Sequence, residues 1–140
     1  MRIFVDSEHV GDKLTRQSRT GYIIFLNNDP IAWLSNKQAS IENSVFGAEF
    51  LAMRIVMETL RGLRYKLRMT GVPILGPSLI YRDNISVIHN TQRPESTLNK
   101  KSNSICYHAI REPVAMKESL TGNVPSVDNP ADILSLPQVP

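Results

Sequence analysis

The chain reads as an α/β domain, a mixed sheet with helices packed against it. Three observations lead there. A hairpin of apolar, β-branched runs opens the sequence. A long amphipathic stretch follows. Short strand-like and helix-like runs then alternate to the end. Hydrophobic residues make up 41% of 140 residues, enough for one packed core and too many for a disordered chain.

Each element has a local reason. Arg2 to Val5 is a short apolar run ending at Asp6 and predicts a strand. Residues 7–19 are polar and predict a loop. Gly21 to Leu26 is dense in β-branched and aromatic residues, so a second strand. Asn27, Asn28, Asp29 and Pro30 make a turn cluster, and Ile31 to Ser35 returns as the third strand. Ser44 is the candidate N-cap of a helix over Val45 to Met69. In it Val45, Ala52, Val56, Leu60 and Leu63 keep helical spacing on one side. Gly71, Pro73, Gly76 and Pro77 turn the chain into a strand at Leu79 to Tyr81. Asn84 to Asn90 predicts a short helix, with Asp83 or Asn84 at its start. Lys101 to Ser119 has helical character but contains Pro113. A last short strand near Val124 and a turn or helix at NPAD (129–132) complete a β-β-β-α-β-α-α order. The strand between helices must cross over, which suits a parallel place beside the first strand.

Composition excludes several classes. The net charge of +3 and pI near 9.2 permit an anionic partner without requiring one. Cys106, the lone cysteine, forms no internal disulfide or zinc pattern and points to a reducing compartment. No apolar stretch is long enough to span a bilayer, and the N-terminus lacks a signal-peptide layout. No membrane partner is expected. No Ser-His-Asp, Cys-His or phosphate-loop pattern occurs, and His9, His89 and His108 lack zinc-like spacing.

Four acids stand out because each ends an apolar run or lies within one: Asp6, Glu49, Asp83 and Asp132. A carboxylate there is costly to desolvate unless a positive group meets it. Glu49 shares a helix face with Val45, Phe46, Ala52 and Met53, whereas Glu58 falls on the opposite side. If the first and fourth strands are parallel neighbours, Asp6 and Asp83 meet at one rim of the sheet, where ligands of open α/β sheets bind. Ordinary roles compete. Asp83 would serve as an N-cap, Asp6 as a turn starter, Glu49 as a helix-dipole partner and Asp132 as a first-turn acid after Pro130. Three or four carboxylates converging from separate elements would instead hold Mg2+, with Mn2+ as the alternative ion. Two such ions clamp the attacking water and leaving oxygen of a phosphodiester. Two basic groups offer phosphate contacts: Arg61, Arg64, Lys66 and Arg68 at the end of the long helix, and Arg93, Lys100 and Lys101 further on.

The motifs VDSEHVGD, RQSRTGYIIFLNNDPIAWLSNKQ, VFGAEFLAM, IYRDNISVIHN, ICYHAIRE and NPAD, in this order, resemble the RNase H domain of copia-type retrotransposon Pol polyproteins. The resemblance covers nearly the whole chain. It implies an RNase H-like mixed five-stranded sheet flanked by helices over residues 1–133, with 134–140 a tail. It implies Asp6, Glu49, Asp83 and Asp132 as catalytic metal-site residues, two Mg2+ ions, and cleavage of the RNA strand of RNA–DNA hybrids. The implied partners are the hybrid, held in part by Arg93, Lys100 and Lys101, and the reverse transcriptase domain of the same polyprotein type. The setting would be cytoplasmic, in a virus-like particle, or nuclear. The chain departs from the family at His9, where an aromatic is common, and at Pro113, inside a helix the family keeps continuous. It departs again at Ser135-Leu136-Pro137, where a Thr-Lys pair usually follows. The chain thus reads as a piece of such a polyprotein. An inactive remnant that still binds nucleic acid is the alternative, and an α/β interaction domain with surface acids the third reading.

Overall fold

Arg2–Glu8 (β1), Arg19–Leu26 (β2) and Asp29–Lys37 (β3) pair antiparallel, as the opening apolar runs predict. The computed structural model describes residues 1–9, 15–41, 44–92 and 104–136. Val45–Met69 forms helix α1, Ser78–Arg82 strand β4, Ile85–Gln92 helix α2, Ser104–Ala115 helix α3 and Ser119–Asn123 strand β5. A 3-10 turn at Ser126–Asp128 precedes a short helix α4, Asp132–Ser135. The sheet order is β3-β2-β1-β4-β5, with β4 parallel to β1 and β5 parallel to β4. This is the expected mixed five-stranded sheet, with the crossover through α1.

One face of the sheet makes the core. Ile3, Val5, Tyr22, Ile24 and Ile80 meet Phe50, Met53, Val56, Met57 and Leu60 of α1, Val87 of α2, and Tyr107 and Ile110 of α3. The strand residues alternate and the helix residues recur at three- and four-residue steps, so each element turns one stripe inward. Each such side chain, fully buried, contributes about 1.5–3 kcal/mol.

Local signals set the ends. Ser44 caps α1, its Oγ accepting from Gly47 N at 3.1 Å. Gly71, at φ +79°, takes the left-handed turn just past the helix end. Three expectations need correction. The polar loop over 7–19 is shorter, because Ser7, Glu8 and Arg19 join the β1–β2 ladder. The helix runs through Pro113 and ends at Ala115, where Lys117, at φ +57°, turns the chain out and Glu118 N donates to Pro113 O at 2.8 Å. The last strand, Ser119–Asn123, ends just before Val124, whose N still donates to Arg82 O at 2.9 Å, but it begins earlier than expected because Ser119 pairs with Ser78. Val45 is half exposed, standing in the first turn before α1 reaches the core.

Candidate acidic site

The rim at the C-terminal ends of β1 and β4 is built by a gap. These strands pair from Arg2–Leu79 to Phe4–Tyr81 and no further. Asn129 fills the opening: its Nδ2 donates to Val5 O at 3.2 Å, and its Oδ1 accepts from Ala131 N at 3.1 Å. The NPAD turn is thereby tied to β1, with Asp132 at the rim. Gly21, opposite Asp6 in the ladder, makes room for α4. A Cβ at Gly21 would lie 2.6 Å from Leu134 C and Ser135 N, and 2.8 Å from Ala131 O. Ser135 Oγ donates to Asp6 Oδ2 at 2.5 Å, and Ser35 Oγ donates to Leu134 O at 2.5 Å. The boundary expected after residue 133 therefore falls inside α4, whose later residues hold the rim together.

Asp83 follows β4 directly, and it does not cap α2. That role belongs to Asn84, whose Oδ1 accepts from Ser86 N at 2.9 Å and Val87 N at 3.3 Å. Asp83 Oδ2 instead accepts from Ser126 Oγ at 2.8 Å. Glu49 lies near the start of α1 and is 8% exposed. Gln38, also buried, positions that helix start: its Nε2 donates to Ala48 O at 2.7 Å and Thr20 Oγ1 at 3.0 Å. Glu49 meets Arg82, which is fully buried at the end of β4. Arg82 Nη2 donates to Glu49 Oε2 at 2.9 Å, and Nη1 to Glu49 O at 3.0 Å.

The acids act on one another. Burial raises the pKa of Asp6; the Ser135 hydrogen bond opposes this, and the Asp83 and Asp132 charges add to it. Burial likewise raises Glu49, opposed by the Arg82 charge and augmented by Asp83 and Asp6. All four predicted acids thus belong to one electrostatic neighbourhood.

Known proteins resemble this chain in sequence and in fold. No protein-family model matches the chain. It is 28% identical over 137 residues to the retrovirus-related Pol polyprotein from transposon RE1 of Arabidopsis thaliana, covering 98% of this chain. It is 26% identical over 132 residues to that from transposon TNT 1-94 of Nicotiana tabacum, covering 94%. The chain spans 9% and 10% of the length of these relatives. RNase H1 from Halobacterium salinarum superposes with a TM-score of 0.69 at 13% identity, covering 96% of this chain and 92% of that one. LC11-RNase H1 in complex with RNA/DNA hybrid gives 0.71 at 13%, covering 95% and 91%. Prototype foamy virus protease-reverse transcriptase gives 0.64 at 14%, covering 96% of this chain and 20% of that one. The chain has an RNase H-like fold. Its relatives are Pol polyproteins of copia-type transposons.

Does the acidic rim of this fold suit a divalent ion? The donor chemistry does, since Mg2+ takes carboxylate oxygens and water. The arrangement does so only in part. Among the described residues no three His, Cys, Asp or Glu side chains are gathered as a ready metal cage. The hydroxyls on Asp6 and Asp83 each occupy one carboxylate oxygen and can turn away. Glu49 is different, because it is engaged by a buried charge.

The basic groups divide. Arg64 is buried, its Nη1 donating to Gly76 O at 3.1 Å and Ser78 Oγ at 3.0 Å. Arg61 pairs with Glu112 at 3.1 Å and Glu118 at 3.3 Å. Burial withdraws Arg64 from phosphate contact, which corrects the reading of the α1 cluster at that residue; Arg61, Lys66 and Arg68 stay exposed. Arg93, Lys100 and Lys101 lie outside the described residues. Sequence reasoning missed Arg82, Asn129, Gln38 and Ser135. For Arg82 a signal existed: Ser78, Ile80 and Arg82 alternate, so the arginine shares the core-facing side of β4 with Ile80.

Proposed function

We propose that this domain is a divalent-metal-dependent ribonuclease H that cuts the RNA strand of RNA–DNA hybrids during retrotransposon reverse transcription. The observation that carries the reading is the convergence of Asp6, Asp83 and Asp132 from three separate elements, with Glu49 behind them. Asp6, Asp83 and Asp132 would hold Mg2+, or Mn2+ in its place. Such an ion, when bound, would supply a nucleophilic water near neutral pH and offset charge on the scissile phosphate. Ser135 orients the Asp6 carboxylate, and Asn129 keeps the Asp132 turn against β1. The hybrid held by LC11-RNase H1 supports an RNA–DNA hybrid as substrate. The foamy virus protein and the Pol relatives support a reverse transcriptase domain as the working neighbour. Arg93, Lys100 and Lys101 are assigned to backbone phosphates, so hybrid affinity should fall steeply with salt.

The test is incubation of the purified chain with end-labelled hybrid and Mg2+, beside Asp83→Asn. Cleavage confined to the RNA strand and reduced by roughly a thousandfold or more in the variant is the expected result. Cleavage equal in both would remove the acidic rim from the chemistry. The second reading is an inactive remnant that binds hybrid without turnover, favoured by the Arg82–Glu49 pair. A folded chain that binds hybrid in a salt-sensitive way and leaves it whole with Mg2+ and Mn2+ would decide for it.

A further inference from the structure

We propose that Arg82 is a resident cation of the acidic rim: its guanidinium occupies Glu49, so that Asp6, Asp83 and Asp132 hold one divalent ion rather than two. The inference rests on the metal-site reading above and revises the two-ion expectation. Its starting point is burial. Arg82 has no exposed surface, and a guanidinium stays charged inside a protein. A buried charge must be compensated, and the compensating carboxylate is Glu49, at 2.9 Å. The attachment is double: Nη1 is fixed to the Glu49 carbonyl and Nη2 to its side chain. The carbonyl bond holds the fork in place however the carboxylate turns. Nε is buried without a hydrogen-bond partner, so the guanidinium has no spare acceptor to retreat to. A metal that drew the Glu49 carboxylate away would leave the buried Arg82 with the Glu49 carbonyl and without its hydrogen-bonded counter-charge.

The test is Mn2+ titration of the metal-free chain by calorimetry, with bound ions counted by electron paramagnetic resonance. The chains compared are wild type, Arg82→Met, the double variant Arg82→Met with Glu49→Gln, and Asp83→Asn. Wild type should bind one ion, and Arg82→Met a second, because Glu49 is released. The double variant replaces a neutral pair by a neutral pair, so it should fold and keep one ion within about threefold of the wild-type affinity. If Arg82→Met does not fold, the double variant decides alone. Two ions in wild type, no second ion in a folded Arg82→Met, or loss of the ion from the double variant would each overturn the proposal. No ion in wild type would overturn it together with the metal-site reading. Unchanged binding in Asp83→Asn would overturn the metal-site reading by placing the ion elsewhere.

Discussion

Arg64 and Arg82 are both buried where α1 meets β4, at opposite ends of that contact. Arg64 reaches from α1 to Gly76 O and Ser78 Oγ, both neutral oxygens, and pins the turn that leads into β4. Arg82 reaches from β4 to Glu49, a carboxylate within the acidic rim. Burial lowers the pKa of both. At Arg64 the Arg68 charge deepens that effect; at Arg82 the charges of Glu49, Asp83 and Asp6 oppose it. The same side chain thus clips neutral oxygens at one end and serves as a counter-charge at the other. Where buried charges must coexist, stability is given up locally, as at sites that bind ions.

The sharpest way to break this comparison is to remove each arginine. Without metal, Arg82→Met should cost about 3–5 kcal/mol in urea unfolding, because Glu49 is left buried and unpaired. Arg64→Met should cost about 1–3 kcal/mol, the loss of hydrogen bonds to neutral partners. Mn2+ should restore much of the first loss and little of the second. Equal costs, or equal recovery, would erase the distinction.

Gly21→Ala comes next. Its Cβ would collide with the backbone of α4, so we expect about 1–3 kcal/mol of destabilisation. Mn2+ affinity should fall by more than that cost explains, since Asp132 moves with α4. Unchanged affinity would mean that α4 does not complete the rim.

A smaller effect is the pH dependence. Asp6 and Glu49 have folded pKa values above their ordinary 3.8 and 4.5. Such groups bind protons more readily folded than unfolded. Their contribution to stability is complete below the ordinary values and is lost as pH rises through the folded ones. Between those limits the metal-free chain should lose stability as pH increases. Asp6→Asn should flatten part of that loss and stabilise the metal-free chain at pH 7 by about 1 kcal/mol. A steeper loss in the variant would contradict the raised value. The smallest effect should be Ser126→Ala. Its hydrogen bond to Asp83 is exposed, so stability should shift by under about 0.5 kcal/mol, with cleavage retained.

Much of this was legible in the chain. The apolar runs and the Ser44 cap located β1 to β3, α1 and β4, because period and capping are local properties. The acids were legible one by one, since each interrupts or ends an apolar run. The end of α3 was harder: the helix passes through Pro113, and the turn at Lys117 with the return to strand at Ser119 depends on pairing with Ser78. Arg64 of α1 was misread because its partners, Gly76 and Ser78, lie beyond the helix.

The sequence by itself determined the order of elements, the mixed sheet and the four acidic candidates, because these follow from periodicity and from side-chain type. Only the tertiary structure decided that Asn84 caps α2 and leaves Asp83 for the rim, that Gly21 admits α4 over β2, and that Ser135 meets Asp6. It alone decided that Arg82 claims Glu49. These outcomes depend on distances between residues far apart in the chain. Burial then makes each pairing count, since an unpaired charge or a misplaced methyl group cannot be screened by water there.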